Sequence, residues 1–127
     1  MTFEKLVPNI FYVDIHDGLK FFVDCLRFEI VHDEIGSGNP FYTLSLHDAL
    51  PLKDGLRINL FQDAELAREH YPEFRLVTKN IEEVYNQVSK SHPEFLHPNL
   101  PVITLRPWTA KEFALKDLQV GVIVQEW

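Results

Sequence analysis

Short runs of alternating apolar and polar residues fill this chain, and in two places, about half a chain apart, such a run passes into a segment with helical spacing. Leu6 to Asp14 is strongly apolar, with Pro8, Ile10 and Tyr12 on one side and Phe11 and Val13 on the other. That pattern predicts a strand flanked on both faces. Asp14 or Asp17 can cap the next segment, where Leu19, Phe22, Val23 and Leu26 fall at i, i+3, i+4 and i+7, the stripe of an amphipathic helix. Phe28 to Ile35 alternates again and stops at Gly36-Ser37-Gly38-Asn39-Pro40, which reads as a hairpin loop. Phe41, Thr43, Ser45 and His47 then alternate with Tyr42, Leu44 and Leu46, so one face is apolar and the other mixed. Beyond the loop Pro51-Leu52-Lys53-Asp54-Gly55, Leu56 to Gln62 makes a further strand.

The second half repeats the plan. Ala64 to Tyr71 is polar with a short helical bias, ends at Pro72, and reads as a linker. Phe74, Leu76 and Thr78 alternate with Arg75, Val77 and Lys79, and Asn80 caps a helix whose Ile81, Val84, Tyr85 and Val88 repeat the i, i+3, i+4, i+7 stripe. Ser91 to Pro101 carries three prolines and predicts an irregular cover over an edge or a groove mouth. Val102 to Leu105, Glu112 to Lys116 and Val120 to Val124 complete a second strand, helix, strand, strand, strand series. Two similar halves, each too small for a good core of its own, predict paired modules with a ligand groove between them. The expected organisation is a single domain over 1–127, with module one at about 1–63 and module two at about 72–127.

Composition narrows the function classes. The sequence has 127 residues and is 46% hydrophobic, ordinary for one globular domain. Its 12 basic against 19 acidic residues give a net charge of −7 with the basic ones scattered, which argues against nucleic acid as a partner. Cys25 has no second cysteine to pair with, and no cationic-then-apolar leader or membrane-length apolar run is present, so a cytoplasmic protein away from membranes is expected. Aromatic residues stand out at 13%, with Phe 10, Tyr 4 and Trp 2. Rings fill cores and also line small-molecule pockets.

Nucleophilic chemistry has little support. Cys25 lies among Phe22, Val23 and Leu26 in the first helix, where packing is the expected role, and neither a Gly-x-Ser-x-Gly nor a phosphate-cradling glycine loop occurs. No catalytic residue is assigned. His16, His32, His47, His70, His92 and His97 form no helix-spaced pair, and His47 is retained as a groove candidate because it continues a mixed strand face. The candidate ligand-binding residues are Phe41, Tyr42, His47, Asn59, Phe61, Trp108, Glu112 and Phe113, with Arg57 and Arg106 as charge partners. Glu112 offers a carboxylate to a cationic ligand or to a structural ion pair, and Trp108, fixed by Pro107, brings an indole donor.

Certain stretches resemble a known family. Pro8-Asn9-Ile10-Phe11-Tyr12-Val13-Asp14, then Phe21-Phe22, then Leu26-Arg27-Phe28-Glu29 is similar to the opening of a glyoxalase/bleomycin-resistance module of the vicinal oxygen chelate superfamily. The usual text there is an Asp, a helix carrying Phe-Tyr, and Leu-Gly-Phe-Glu, so Phe22 and Arg27 depart from it. Arg106-Pro107-Trp108-Thr109-Ala110-Lys111-Glu112-Phe113-Ala114-Leu115-Lys116-Asp117 resembles the family's Pro-Trp-Gly-x-Arg-Glu-Phe-x-x-x-Asp signature. The usual continuation is Asp-Pro-Asp-Gly-Asn, where this chain reads Asp117-Leu118-Gln119-Val120-Gly121. The resemblance spans essentially the whole chain. It implies an α+β fold of two βαβββ modules forming a curved mixed sheet around a cleft, often completed by a second subunit in a homodimer.

The resemblance also poses a choice between a metal enzyme and a metal-free binder. Metal-dependent members hold a cation with His, Gln or Glu from the first and last strands of each module, and the matching positions here are Val7, Asn59, Glu73 and Val124. Valine has no lone pair to donate and an amide is a weak ligand. A shift of register by one or two residues would bring Gln125 or Glu126 into the last position. These residues favour a metal-free, cofactor-free protein of the bleomycin-resistance branch that sequesters a small cationic or aromatic molecule. The alternative is a lyase or dioxygenase of the same superfamily using a divalent metal ion.

Overall fold

The structure is a computed structural model that describes residues 1–36, 38, 40–46 and 55–127. His47 and the loop at 51–54 lie outside the described residues, as do Ser37 and Asn39. The chain divides into two units, Met1–His70 and Tyr71–Trp127.

The first unit opens with β1 (Asn9–Tyr12) and α1 (Ile15–Leu19), which runs on as a π-helical turn over Lys20–Cys25. Three strands come next, β2 (Glu29–Asp33), β3 (Phe41–Leu46) and β4 (Leu56–Gln62), and then α2 (Ala64–Glu69). The sheet order is β1-β4-β3-β2, with β1 parallel to β4 and the other pairs antiparallel. The second unit comprises β5 (Glu73–Val77), α3 (Ile81–Ser91), β6 (Thr104–Leu105), β7 (Lys111–Lys116) and β8 (Gly121–Glu126). Its order, β5-β8-β7-β6, has the same parallel and antiparallel pairings. Each unit is thus a βαβββ module built around a four-stranded mixed sheet.

The repeat extends to how the helices start. Asp14 Oδ1 accepts a hydrogen bond from the His16 amide, and Asn80 Oδ1 accepts one from the Glu83 amide. A second donor of each helix is met from the end of that module's last strand. The Ile15 amide donates to Gln62 Oε1 and the Ile81 amide donates to Glu126 Oε1, each at 3.0 Å. Amides in the first helical turn have no partner within the helix, so these side chains satisfy them. The backbone bond from His16 holds the Asp14 carboxyl below its ordinary range, aided by the His16 ring. The cap is therefore intact above the usual carboxylate range and is lost as pH falls through the lowered value.

Helix packing departs from the i, i+3, i+4, i+7 stripe expected for the first module. The buried positions are Ile15, Gly18, Phe21, Phe22 and Cys25, whereas Leu19, Val23 and Leu26 are only half-buried. Ile15, Gly18, Phe22 and Cys25 fall at i, i+3, i+7 and i+10, so the buried face is set from the first turn, before the π turn in which the Leu26 amide bonds the Phe21 carbonyl five residues back. In the core Phe22 meets both Phe21 and Phe28 edge-on. Gly18 sets how close the helix comes: a Cβ there would lie 2.6 Å from Tyr12 and 3.0 Å from Leu60. Arg27, where the resembled family has glycine, adopts a left-handed φ of 67° on leaving the helix.

Other boundaries also move. The first strand is confined to Asn9–Tyr12 and Leu6 is exposed, because only the stretch after Pro8 pairs with β4. The segment expected as a linker holds α2, capped by Asp63. The last strand runs to Glu126 and buries Gln125. The departure after Asp117 closes as a tight turn, in which Asp117 Oδ1 accepts from the Gln119 and Val120 amides and the Asp117 amide donates to the Val120 carbonyl. The Tyr71 hydroxyl donates to the carbonyls of Asp117 and Val120 and pins this turn. Burial, and then the charges of Asp117 and Glu73, push its phenol pKa up, so it stays a donor.

Candidate functional site

Strand alternation gives each sheet one face under its helices and one face away from them. In the first module Ile10, Tyr12, Leu44, Ile58 and Leu60 lie under α1. The opposite face is organised in rows by register. Phe41 pairs with Phe61 and Phe61 with Phe11, so three rings stand side by side on adjacent strands. Phe41 and Phe61 stack at 5.1 Å between centroids, and Phe61 and Phe11 sit at 5.8 Å. His32 contacts Phe41 at 5.7 Å and His70 contacts Phe11 at 5.9 Å, extending the row to five rings. All three phenylalanines are only half-buried, a position from which an aromatic surface can be offered.

Two residues further along each strand lies a polar row. Thr43 pairs with Asn59, which pairs with Asn9. The Thr43 hydroxyl donates to Asn59 Oδ1 at 2.9 Å and Asn59 Nδ2 donates to Asn9 Oδ1 at 3.1 Å, so each side chain fixes the amide orientation of the next. Another two residues on are Ser45 and Arg57.

The second module fills the matching rows differently. Phe74, Leu76, Val122, Val124 and Phe113 lie on the α3 side, where Tyr85 meets Phe113 edge-on at 5.1 Å. On the other face Glu112 pairs with Gln125, and Gln125 with Val77. The repeated helix caps align Gln62 with Glu126, so Glu112, Gln125 and Val77 stand where the first module has Phe41, Phe61 and Phe11. Glu112 is 1% exposed. Its Oε2 accepts from Trp108 Nε1 at 3.0 Å and from Gln125 Nε2 at 2.6 Å, while Arg106 Nε lies 3.7 Å from Oε1. The Arg106 guanidinium also sits 4.8 Å from the Trp108 ring centre.

A tight turn holds that cluster. The Thr109 amide bonds the Arg106 carbonyl and the Arg106 amide bonds the Ala110 carbonyl, closing Pro107-Trp108-Thr109 as a three-residue hairpin loop. Its third residue must be left-handed, and Thr109 has φ 74° where the resembled signature has glycine. A β-branched residue is strained there. Thr109→Gly and Arg27→Gly are each expected to stabilise the protein by about 0.5–1 kcal/mol, strain relief exceeding the entropy that glycine adds to the unfolded chain. Urea midpoints that rise at unchanged m-value would check this.

The sequence-predicted residues therefore divide. Phe41, Asn59 and Phe61 come together on the first module's open face, and Trp108 and Glu112 form one hydrogen-bonded cluster in the second. Tyr42 and Phe113 lie on the opposite, helix-facing sides of their sheets. Phe11, Asn9, Thr43 and Gln125 were not among the predicted site residues, although strand parity with Phe61, Asn59 and Glu112 carried the signal.

A metal ion of the kind the resemblance implies finds a poor donor set. Val7 precedes β1 and Val124 lies on the α3 side, so the first- and last-strand positions on the open face are Asn9, Phe11, Asn59 and Phe61 in the first module, and Glu73, Arg75, Val77, Ile123 and Gln125 in the second. Taken module by module, two neutral amides in the first, and one carboxylate, one amide and a guanidinium in the second, are weak donor sets for a divalent cation. Among the described residues no three His, Cys, Asp or Glu side chains cluster for a metal.

No protein-family model matches the sequence, and no curated protein matches it. Solved structures do resemble it. A glyoxalase/bleomycin resistance protein/dioxygenase superfamily member from Sphaerobacter thermophilus is 20% identical with a TM-score of 0.69, covering 98% of each chain. A bleomycin-binding protein from bleomycin-producing Streptomyces verticillus, complexed with copper(II)-bleomycin, is 16% identical with a TM-score of 0.67, over 98% of this chain and 96% of that one. A glyoxalase-related enzyme from Clostridium phytofermentans is 14% identical with a TM-score of 0.71, over 99% and 96%. No helix among the described residues is long and apolar enough to cross a membrane. With its two βαβββ modules and their matching strand orders, the chain has the α+β fold of the glyoxalase/bleomycin resistance protein/dioxygenase superfamily.

Proposed function

We propose that this chain binds and sequesters a small aromatic molecule without metal or covalent chemistry, as a relative of the bleomycin-resistance branch. The observation that carries this reading is the row of rings on the first module's open face, Phe41, Phe61 and Phe11 flanked by His32 and His70, beside a hydrogen-bonded amide row. A half-exposed row of rings offers aromatic contact to a planar ligand, and the adjoining amides orient a polar substituent. The neighbour from Streptomyces verticillus shows that a protein with this fold can hold bleomycin. Homodimerisation belongs to the same proposal, and light scattering of a monomer at micromolar concentration would count against that part.

Titration calorimetry with bleomycin and a panel of planar heteroaromatic compounds tests the reading. Saturable binding by at least one of them, with matching thermal stabilisation, is expected. Metal removal separates this from the lyase or dioxygenase alternative. Dialysis against EDTA should leave affinity within about two-fold, because neutral amides contribute through hydrogen bonds rather than through a bound ion. Affinity lost with EDTA and restored by Zn, Ni, Fe or Mn would favour the metal enzyme instead.

A further inference from the structure

Resting on that binding reading, we infer the ligand's charge: the site is built for an aromatic acid, with the planar ring on Phe61 and the anionic group at Arg57. The three rows of the first module's open face run in order along β4, ring row at Phe61, amide row at Asn59 and cation row at Arg57. Residues 57 and 61 are four apart on one strand, about 13 Å between Cα positions. A molecule lying along β4 meets aromatic surface, then hydrogen-bonding amides, then a guanidinium.

Arg57 is the distinctive member of that series. Its Nε is buried and has no hydrogen-bond partner among the described residues. Ser45, its neighbour on β3, is fully buried. Glu29 pairs with Ser45 one strand further out and is exposed. A guanidinium N–H removed from water without an acceptor is costly unless a ligand supplies one. The amide row favours the same sign, since each amide nitrogen carries two hydrogens and the row uses one from Asn59.

The opposite reading, a cationic ligand, would need an available carboxylate. Glu112 is the candidate from the sequence, and both its oxygens already face donors of its own module, Trp108, Gln125 and Arg106. The chain's net charge of −7 attracts cations at long range, but contact chemistry at Arg57 selects an anion.

Naphthalene- and biphenyl-alkanoic acids of graded chain length, each with its primary amide and its amine, provide the test. Affinities come from calorimetry, and the contact face from amide shifts of 15N-labelled protein. The acids should bind about ten-fold or more tightly than their amides, with the amines weakest, as expected for a charge-assisted, bidentate guanidinium contact. Arg57→Gln should reduce each acid to the affinity of its amide, and Arg57→Lys should keep part of the preference. Equal binding of acid and amide, or an acid preference that survives Arg57→Gln in a variant with an unchanged amide spectrum, would overturn the inference. Tightest binding by the amines would overturn it while leaving aromatic sequestration standing. Failure of every probe to shift β1, β3 or β4 would overturn both.

Discussion

Replacing Glu112 with alanine is expected to destabilise the protein by about 3–5 kcal/mol, the usual cost of removing one partner from a buried charged network. The carboxylate is almost fully buried, accepts hydrogen bonds from the Trp108 indole and the Gln125 amide, and forms an ion pair with the Arg106 guanidinium at 3.7 Å. Alanine would strand the Gln125 amide, itself 4% exposed, and release Trp108 and Arg106 from the turn that holds them. Glu112→Gln keeps the volume and one acceptor oxygen while removing the charge, so its loss should be smaller, about 1–2 kcal/mol. Denaturant unfolding of both variants checks the order. If both matched the parent within about 0.5 kcal/mol, the network would contribute as little as a surface ion pair.

Phe61→Ala is expected to weaken aromatic-ligand binding by about 30-fold, or roughly 2 kcal/mol, the size of a central hot-spot truncation. Phe61 stands between Phe41 and Phe11, so its loss splits the platform instead of trimming an end. Phe61→Leu preserves most of the apolar burial but no ring, and should lose about ten-fold. Calorimetry on both, with thermal melts to confirm folding, separates stacking from packing. An affinity unchanged in Phe61→Ala would remove the ring row from the binding account.

Much of the fold was legible in the sequence, for a physical reason. The period-2 and period-3.6 patterns belong to elements that bury one face, so β3, β4, β7 and α3 show themselves through Leu44, Ile58, Phe113 and Ile81. The turn chemistry was equally visible at Asn80, whose Oδ1 accepts from the Glu83 amide and whose Nδ2 donates to Glu83 Oε2. The π turn was not visible, because no residue in Lys20–Cys25 signals a change from i+4 to i+5 bonding. The phase of the helix was not visible either, because Gly18, buried against Tyr12 and Leu60, carries no apolar side chain to mark the packed face.

Within the candidate site, strand alternation was legible and the register between strands was not. Phe41, Asn59 and Phe61 were chosen by alternation within a strand. Their partners Phe11, Thr43 and Asn9 depend on register between strands up to fifty residues apart, which local pattern does not encode. The same limit applied to Val7 and Val124. Pairing of Asn9 with Asn59, and of Gln125 with Glu112, moved both positions and placed amides on the open faces. The first module's ring row and the second module's Glu112–Gln125 pair occupy matching positions, so the two repeats have kept one backbone plan while differing in the chemistry they display.

The most direct test is a titration of metal-stripped protein with a planar aromatic ligand, followed through the ring proton signals of Phe11, Phe41 and Phe61. Saturable upfield shifts of all three, reached with no divalent ion present, are the predicted result. Rings that stay unmoved while a divalent cation binds stoichiometrically and is needed for any ligand to associate would contradict it.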